Sequence, residues 1–450
     1  SDEQRFVGTF DGRNRTISNL YINRSVRSVG LFSYIGEGGT IHNLTVTDLN
    51  ITADDRVGGV AGDNNGTLRN ISVDGTVKAT DEDSGVSGGL VGENLGTIRR
   101  ANADVTTNGT ESVGGLVGNN RGTIEHSSAH GSVFGNQAVG GLVGRNGLPA
   151  ETTTGTIEQS SASGDVTGNA LAGGLAGLNL NSVINTSSAN GTVTGNSYLG
   201  GLVGIAAGGQ ITDASANTTV NGTTSVGGLV GANGVEGQSG STITNASASG
   251  TVRVPDDTAN TEYVGGLVGQ LYQGTVTTSD ATVDVDAANS LSVGGLVGYN
   301  DEGEVTQSYA TGNVTGNESV GGLVGNNTGA VYTAYATGGV TATDEVGGLV
   351  GNNTGQVSET YAVGLVNATE TQPTSVGGLI GNDETGGFGQ GYYDSETTNQ
   401  LGSESTSDLT GFSARAVMST PSPRGAGFDF QQNWTLPSNN GQVSYPILRA

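Results

Sequence analysis

Forty-two carboxylates, three histidines and no cysteine bound the chemistry open to this chain of 450 residues. His126 and His130 stand four apart, the spacing at which a helix offers two imidazoles to zinc. The His-Glu-x-x-His pattern is missing, however, and their surroundings read as strand and turn. Both are expected to be surface polar residues. Without cysteine there is neither a thiolate nucleophile nor a disulfide, and no Gly-x-Ser-x-Gly elbow joins a strand to a helix. The single lysine, Lys78, does not end a glycine-rich phosphate loop.

Carboxylates leave one enzymatic alternative, a polysaccharide-binding or polysaccharide-cleaving β-helix, in which two acids on one face sit ~5 to 9.5 Å apart. The acid clusters are Asp54-Asp55, Asp81-Glu82-Asp83, Asp256-Asp257, Asp301-Glu302 and Asp383-Glu384. They fall mainly in turns and insertions and do not recur as a column beside sugar-stacking aromatics. Solvated loop acid is the expected role, with loop calcium the other role open to them. No catalytic residue and no bound cofactor is expected.

Asn-X-Ser/Thr occurs at eighteen places, against about nine or ten expected from the abundance of Asn, Ser and Thr alone. The glycosylation candidates are Asn14, Asn23, Asn43, Asn50, Asn108, Asn190, Asn217, Asn313 and Asn433. Net charge is −26, which excludes nucleic acid as a natural partner. Fifteen arginines accompany the lone lysine. An acidic surface nearly free of lysine suits solution in which salt shortens the Debye length to ~3 Å, so a salt-loving source is expected. No apolar run of ~18 residues is long enough for a membrane span. The chain opens at Ser1-Asp2-Glu3, which reads as a mature or excised piece, and the enrichment in sequons is what points outside the cell.

What must position these residues is a repeat. Val113–Gly118, Val-Gly-Gly-Leu-Val-Gly, recurs at 139–144, 226–231, 264–269, 293–298, 320–325 and 346–351, with looser copies at 57–62, 87–92, 172–177, 199–204 and 376–381. Successive copies lie 26 to 38 residues apart, and the rest of each unit supplies Asn, then Gly-x-Ile/Val, a Ser-x-Ala or Ser-Ala patch and Gly-x-Val. Three short apolar segments rich in Val, Ile and Thr and separated by turn residues predict three strands per unit. Stacking ~4.8 Å apart pairs each strand with its copies. The expected fold is all-β: a parallel, three-sided and right-handed β-solenoid of about 13 coils, on the order of 60 Å long, with a C-terminal cap.

Asn64, Asn94, Asn120, Asn146, Asn179, Asn233, Asn300, Asn327 and Asn353, with Asp383, hold one slot of the unit, broken by Ala206 and Leu271. They are expected to stack as a ladder along one corner, the sharper alternative being a metal or sugar site. Leu116 and Val117 are adjacent yet apolar in every copy, which strand alternation does not accommodate. The Leu column is expected inside. The Val column is then either turned inward at the Gly-Gly bend or exposed as an apolar stripe for lateral packing.

Both ends depart from the unit, giving a lead-in coil at 1–28, repeats at 29–385 and a cap at 386–450. Eight of the 22 aromatics fall after residue 385, among them Tyr392, Tyr393, Phe412, Phe428, Phe430, Trp434 and Tyr445, and they are expected to form the core of the cap. The Gly-Gly-Leu-Val-Gly blocks, the opening Gly8-Thr9-Phe10-Asp11-Gly12 with Ile17-Ser18-Asn19-Leu20, and the closing Tyr392-Tyr393-Asp394 through Tyr445-Pro446-Ile447-Leu448 together resemble the GLUG-motif repeat proteins over nearly the whole chain. That resemblance implies a surface-exposed bacterial or archaeal protein, here haloarchaeal and adhesin-like, with no catalytic residues of its own. The expected role is an extracellular rod that presents loops and glycans, with cell-surface glycans or proteins as partners. The other partner is the chain itself, through head-to-tail growth from an unfinished first coil into a homopolymer.

Overall fold

The computed structural model describes residues 5–148, 154–255, 262–370, 373, 375–384, 388–395, 410–412, 429, 432–435 and 446–448. Among these residues there is no helix, and hence none long and apolar enough to cross a membrane. Parallel strands stack as a β-solenoid of about 13 turns. The chain divides into two compact units, Ser1–Gly222 with Leu229–Gly231 and Thr223–Gly228 with Ala232–Ala450.

One turn of the first unit displays the local logic. Val117–Asn120 pairs in parallel with Val91–Asn94 on one side and Val143–Asn146 on the other, in register so that Asn120 faces Asn94 and Asn146. The chain continues through Thr123–Glu125, Ser128–Ala129, Val133–Gly135 and Ala138–Gly140, each paired with its copies. The three segments expected from sequence are therefore broken into five. The break between Thr123–Glu125 and Ser128–Ala129 falls at His126, a corner residue whose left-handed backbone reverses the side-chain phase.

Thr97–Asn108 makes that phase slip visible. Ile98 is buried, Arg99 and Arg100 are both exposed, and Ala101, Ala103, Val105 and Thr107 are buried again. Arg100 has φ 52°, and the same corner is taken by His126, Gln159 and Thr186 at φ 47–48°. Alternation resumes after each corner with the apolar set still inward. No residue in this slot is glycine, so the strain is carried by the stack around it.

In the second unit the pattern repeats, with Val324–Asn327 between Val297–Asp301 and Val350–Asn353. There the small Ser column gives way to tyrosine: Asp280 pairs with Tyr309, Tyr309 with Tyr335, Tyr335 with Tyr361 and Tyr361 with Tyr392. Tyr309, Tyr335 and Tyr361 stack face to face with centroids 4.8 and 5.0 Å apart. Trp434, fully buried, packs across Tyr335 and Tyr361. Its two-residue strand pairs antiparallel with Ile447–Leu448, and Tyr361 donates its hydroxyl to the Pro446 carbonyl. The aromatic core of the closing segment thus sits on the flank of the last turns, where Tyr392 and Trp434 join it. Phe428, Phe430, Tyr445 and the side chain of Phe412 lie outside the described residues.

Candidate functional site

Four columns along the stack and one ion-pair network in its first turns determine what remains available at its surface. The Leu column, from Val60 and Leu90 through Leu116 and Leu142 to Leu379, is fully buried. So is the Val column, from Ala61, Val91, Val117 and Val143 to Ile380. This overturns the exposed apolar stripe and the lateral packing built on it. Leu116 lies in the bend between Val113–Gly114 and Val117–Asn120 rather than in a strand, so adjacent Leu and Val both point inward. The Gly-Gly pair is required for space, since neither Gly114 nor Gly115 has a left-handed φ.

The asparagine corner forms the expected ladder. Asn64 Nδ2 donates to Asn94 Oδ1 at 2.7 Å, and the series continues from Asn94 to Asn120, Asn120 to Asn146 and Asn146 to Asn179, each at 2.8 Å. In the second unit it runs from Asn300 through Asn327 and Asn353 to Asp383. Most of these amides also close their own turn, as Asn120 does with the Gly122 N–H and carbonyl. The amides are spent on one another and on backbone, with no open face for a sugar. At Leu271 the slot holds no donor, and Asn300 Oδ1 is buried without a partner.

A fourth column was read from sequence only as the serine of a Ser-x-Ala patch, without its role. Ser127, Ser160 and Ser187 each receive the backbone N–H one turn away at 3.1 to 3.2 Å and return the hydroxyl to a carbonyl two residues back. These hydroxyls satisfy the N–H groups that the left-handed corner takes out of the strand ladder. The signal was Ser at a fixed offset after a polar residue in turn after turn. A fifth feature is confined to the first turns. Arg56 bridges Asp63 at 3.1 Å and Glu93 at 2.6 Å, Arg121 also binds Glu93, and Arg27 holds Asp55 at 2.7 Å. Asp55, Asp63 and Glu93 are nearly fully buried, so these pairs are little screened by salt.

The remaining chemistry-bearing residues are separated. His126 occupies an exposed corner, and His130 Nδ1 lies 2.8 Å from Ser163 Oγ instead of facing it. Among the described residues no three His, Asp or Glu side chains gather as a metal site. Asp81 accepts the Asp83 and Ser84 N–H groups in a turn. Glu302 accepts from Gln273 beside a groove of about 750 Å3 that also touches Glu304 and Gln356. Asp256 and Asp257 lie outside the described residues. Of the sequon asparagines, Asn14, Asn23, Asn50, Asn190, Asn217 and Asn313 are exposed, whereas Asn43, Asn108 and Asn433 are partly buried. Asn43 Nδ2 is hydrogen-bonded to Asp11 and His42, and Asn433 accepts from Gln307.

The tyrosine flank gives the second unit a pH limit. Burial, reinforced by Tyr309 and Asp280, pushes the Tyr335 phenol well above its ordinary value, and burial likewise raises Tyr309 and Tyr392. Burial, with Glu262 beside it, pushes Tyr263 up to about 12. Each phenol holds its proton more tightly in the folded chain, so this stability is intact below about pH 10 and is lost as pH rises toward the folded values. Alkaline titration followed by circular dichroism is expected to show cooperative loss of structure between about pH 10 and 12. Tyr335→Phe should shift that loss to higher pH, and an unchanged midpoint would count against the flank as its origin.

The fold and its columns define a repeat β-solenoid whose interior is closed by its own side chains. Residues 109–133, 135–167, 195–221, 260–286 and 289–315 match the family described as the GLUG motif, so the chain carries five repeats of that motif. Halomucin of Haloquadratum walsbyi is 45% identical over 84 residues, covering 18% of this chain and 1% of that protein. A putative Gly-rich membrane protein of Evansella cellulosilytica is 38% identical over 74 residues, covering 16% of this chain and 9% of that protein. The chain therefore matches only a small part of either relative's length. No solved structure matches it.

Proposed function

We propose that this chain is an extracellular structural and adhesive module of a cell surface in a high-salt setting, presenting turns and N-linked glycans from a β-solenoid scaffold. The observation that carries the reading is the placement of six exposed sequon asparagines on outward positions of a stack whose Leu, Val and Asn columns are spent on the fold itself. The net charge of −26 supports solubility where salt screens self-repulsion. The names of the two relatives, a halomucin and a membrane protein, accord with a surface location. Cell-surface glycans or proteins are the partners this reading calls for. End-to-end growth through a second copy is its filament-forming version.

Binding of the purified glycoprotein to intact cells in molar salt tests the adhesive role. Incubation with acidic and neutral polysaccharides, followed by size-exclusion chromatography, tests the enzymatic rival. Retention on cells with no chain shortening is the expected result, and turnover of any polysaccharide would overturn the reading. Electron microscopy at high protein concentration separates filaments from dispersed copies.

A further inference from the structure

Phe134 is the one large apolar side chain on an otherwise polar outward column of the first unit. It is 43% exposed, and the same column holds Thr167 and Thr194 in the turns that follow. A ring presented to water gains free energy when an apolar face of a ligand covers it. In the register of the stack its partner on the other side is Asn108, and beyond Asn108 stands Lys78, the only lysine of the chain. Asn108-Gly109-Thr110 is a sequon. These three side chains, with Thr80, Thr110 and Asn136, line a groove of about 450 Å3.

We propose that Asn108 carries an N-linked glycan whose first pyranose seats in this groove, on the face of Phe134 and under the ammonium of Lys78. The inference rests on the glycoprotein reading above and assigns one site within it. Neighbouring strands lie ~4.8 Å apart, so a sugar attached to Asn108 Nδ2 is carried one strand over to the ring. The C–H hydrogens on the apolar face of a pyranose are weakly positive and complement the negative face of the aromatic ring. Lys78 donates to the sugar hydroxyls or ring oxygen.

Attachment forms the Nδ2–C1 bond and breaks the C1–O bond of a polyprenyl-phosphate-linked sugar donor. The phosphate leaves with the electron pair, and the amide gives up one proton. In the folded turn the Thr110 hydroxyl donates to the Asp81 carbonyl and accepts from the Gly85 N–H. Transfer to the sequon therefore precedes closure of this turn.

The test compares the full chain secreted from an N-glycosylating halophilic host with the same sequence from a host that does not glycosylate. Glycopeptide mass spectrometry reads occupancy, and hydroxyl-radical oxidation reads exposure of Phe134, with the exposed Tyr21 as internal reference. Asn108 is expected to be occupied, with oxidation of Phe134 at least fivefold slower in the glycosylated chain and Tyr21 unchanged. Phe134→Thr, which installs the residue the column uses elsewhere, should leave occupancy intact but lose the thermal stabilisation that glycosylation gives. An unoccupied Asn108 beside occupied Asn190 and Asn217 overturns this inference alone, as does equal oxidation in the two preparations. Absence of glycan at every sequon overturns the glycoprotein reading and this site with it.

Discussion

Gly115→Ala is expected to destabilise the first unit by about 4 kcal/mol or more, lowering its melting temperature by roughly 8 to 16 °C. A Cβ at Gly115 would lie 2.2 Å from the carbonyl oxygen of Gly141 in the next turn and 3.0 Å from the Ala129 side chain. Gly141 stands in the same relation to Gly174 and Ala162, and Gly174 to Gly201 and Ala189. The obstruction is backbone, fixed by strand pairing on both sides, so no rotamer change relieves it. Separating the turns locally would strain every ladder that crosses that level, because stability in a stack comes from neighbour interfaces.

Gly38→Ala is the control. Gly38 has φ +81° and nothing near the added Cβ, so its cost is the conformational one, about 1 kcal/mol. Thermal unfolding of both variants in molar salt decides the matter. A Gly115 variant no worse than the Gly38 variant would show that the turns part more easily than their packing implies.

The same contact shows why the motif was legible as a pattern before it was legible as packing. Gly-Gly and Ser-Ala recur together in the sequence, and the reason is that the second glycine of each pair lies against the alanine, as in Gly266 with Ala281 and Gly295 with Ala310. Where Tyr393 replaces that alanine, its ring crowds Gly378 instead. Stacking, the Asn corner and the inward Leu column could be read because each depends on one residue type at one offset. The Val column was left open between inward and exposed because alternation holds within a strand, and Leu116 stands at a bend between two.

Other features had no local signal. The left-handed corner accepts Arg100, His126, Gln159 and Thr186 alike, so no one residue type marks it. The Arg56, Asp63 and Glu93 network joins residues from different turns whose charges, taken singly, look like ordinary surface. The sequons were found by type, but their exposure follows from strand phase, which is why Asn43 and Asn190 differ although both match the same triplet.

Asn120→Asp carries the second large effect, and it depends on pH. Asn120 accepts from Asn94 and donates to Asn146, both at 2.8 Å, in a fully buried position. A carboxylate can still accept from Asn94 but has no hydrogen for Asn146 Oδ1, so two acceptors face each other and a charge is buried. About 3 kcal/mol of loss is expected for Asn120→Ala, from the orphaned Asn146 oxygen and the turn N–H of Gly122, and more for Asp at neutral pH.

The charged form is the unfavourable one in the fold, so the folded pKa of the new carboxyl lies above the unfolded value of ~3.9. The penalty is full at neutral pH. It shrinks as pH falls through the folded pKa, where the carboxyl gains an O–H that can donate to Asn146. Asn120→Ala has no such term, so the gap between the two variants should close on acidification. Melting curves from pH 7 to 4 measure it. The native Asp383 occupies the same slot while accepting from Asn353, at the last described rung, where no further asparagine has to be supplied with a hydrogen. A gap that stays constant with pH would mean that the ladder tolerates a missing donor at any rung, and that the placement of the one acid at that position has no bearing on stability.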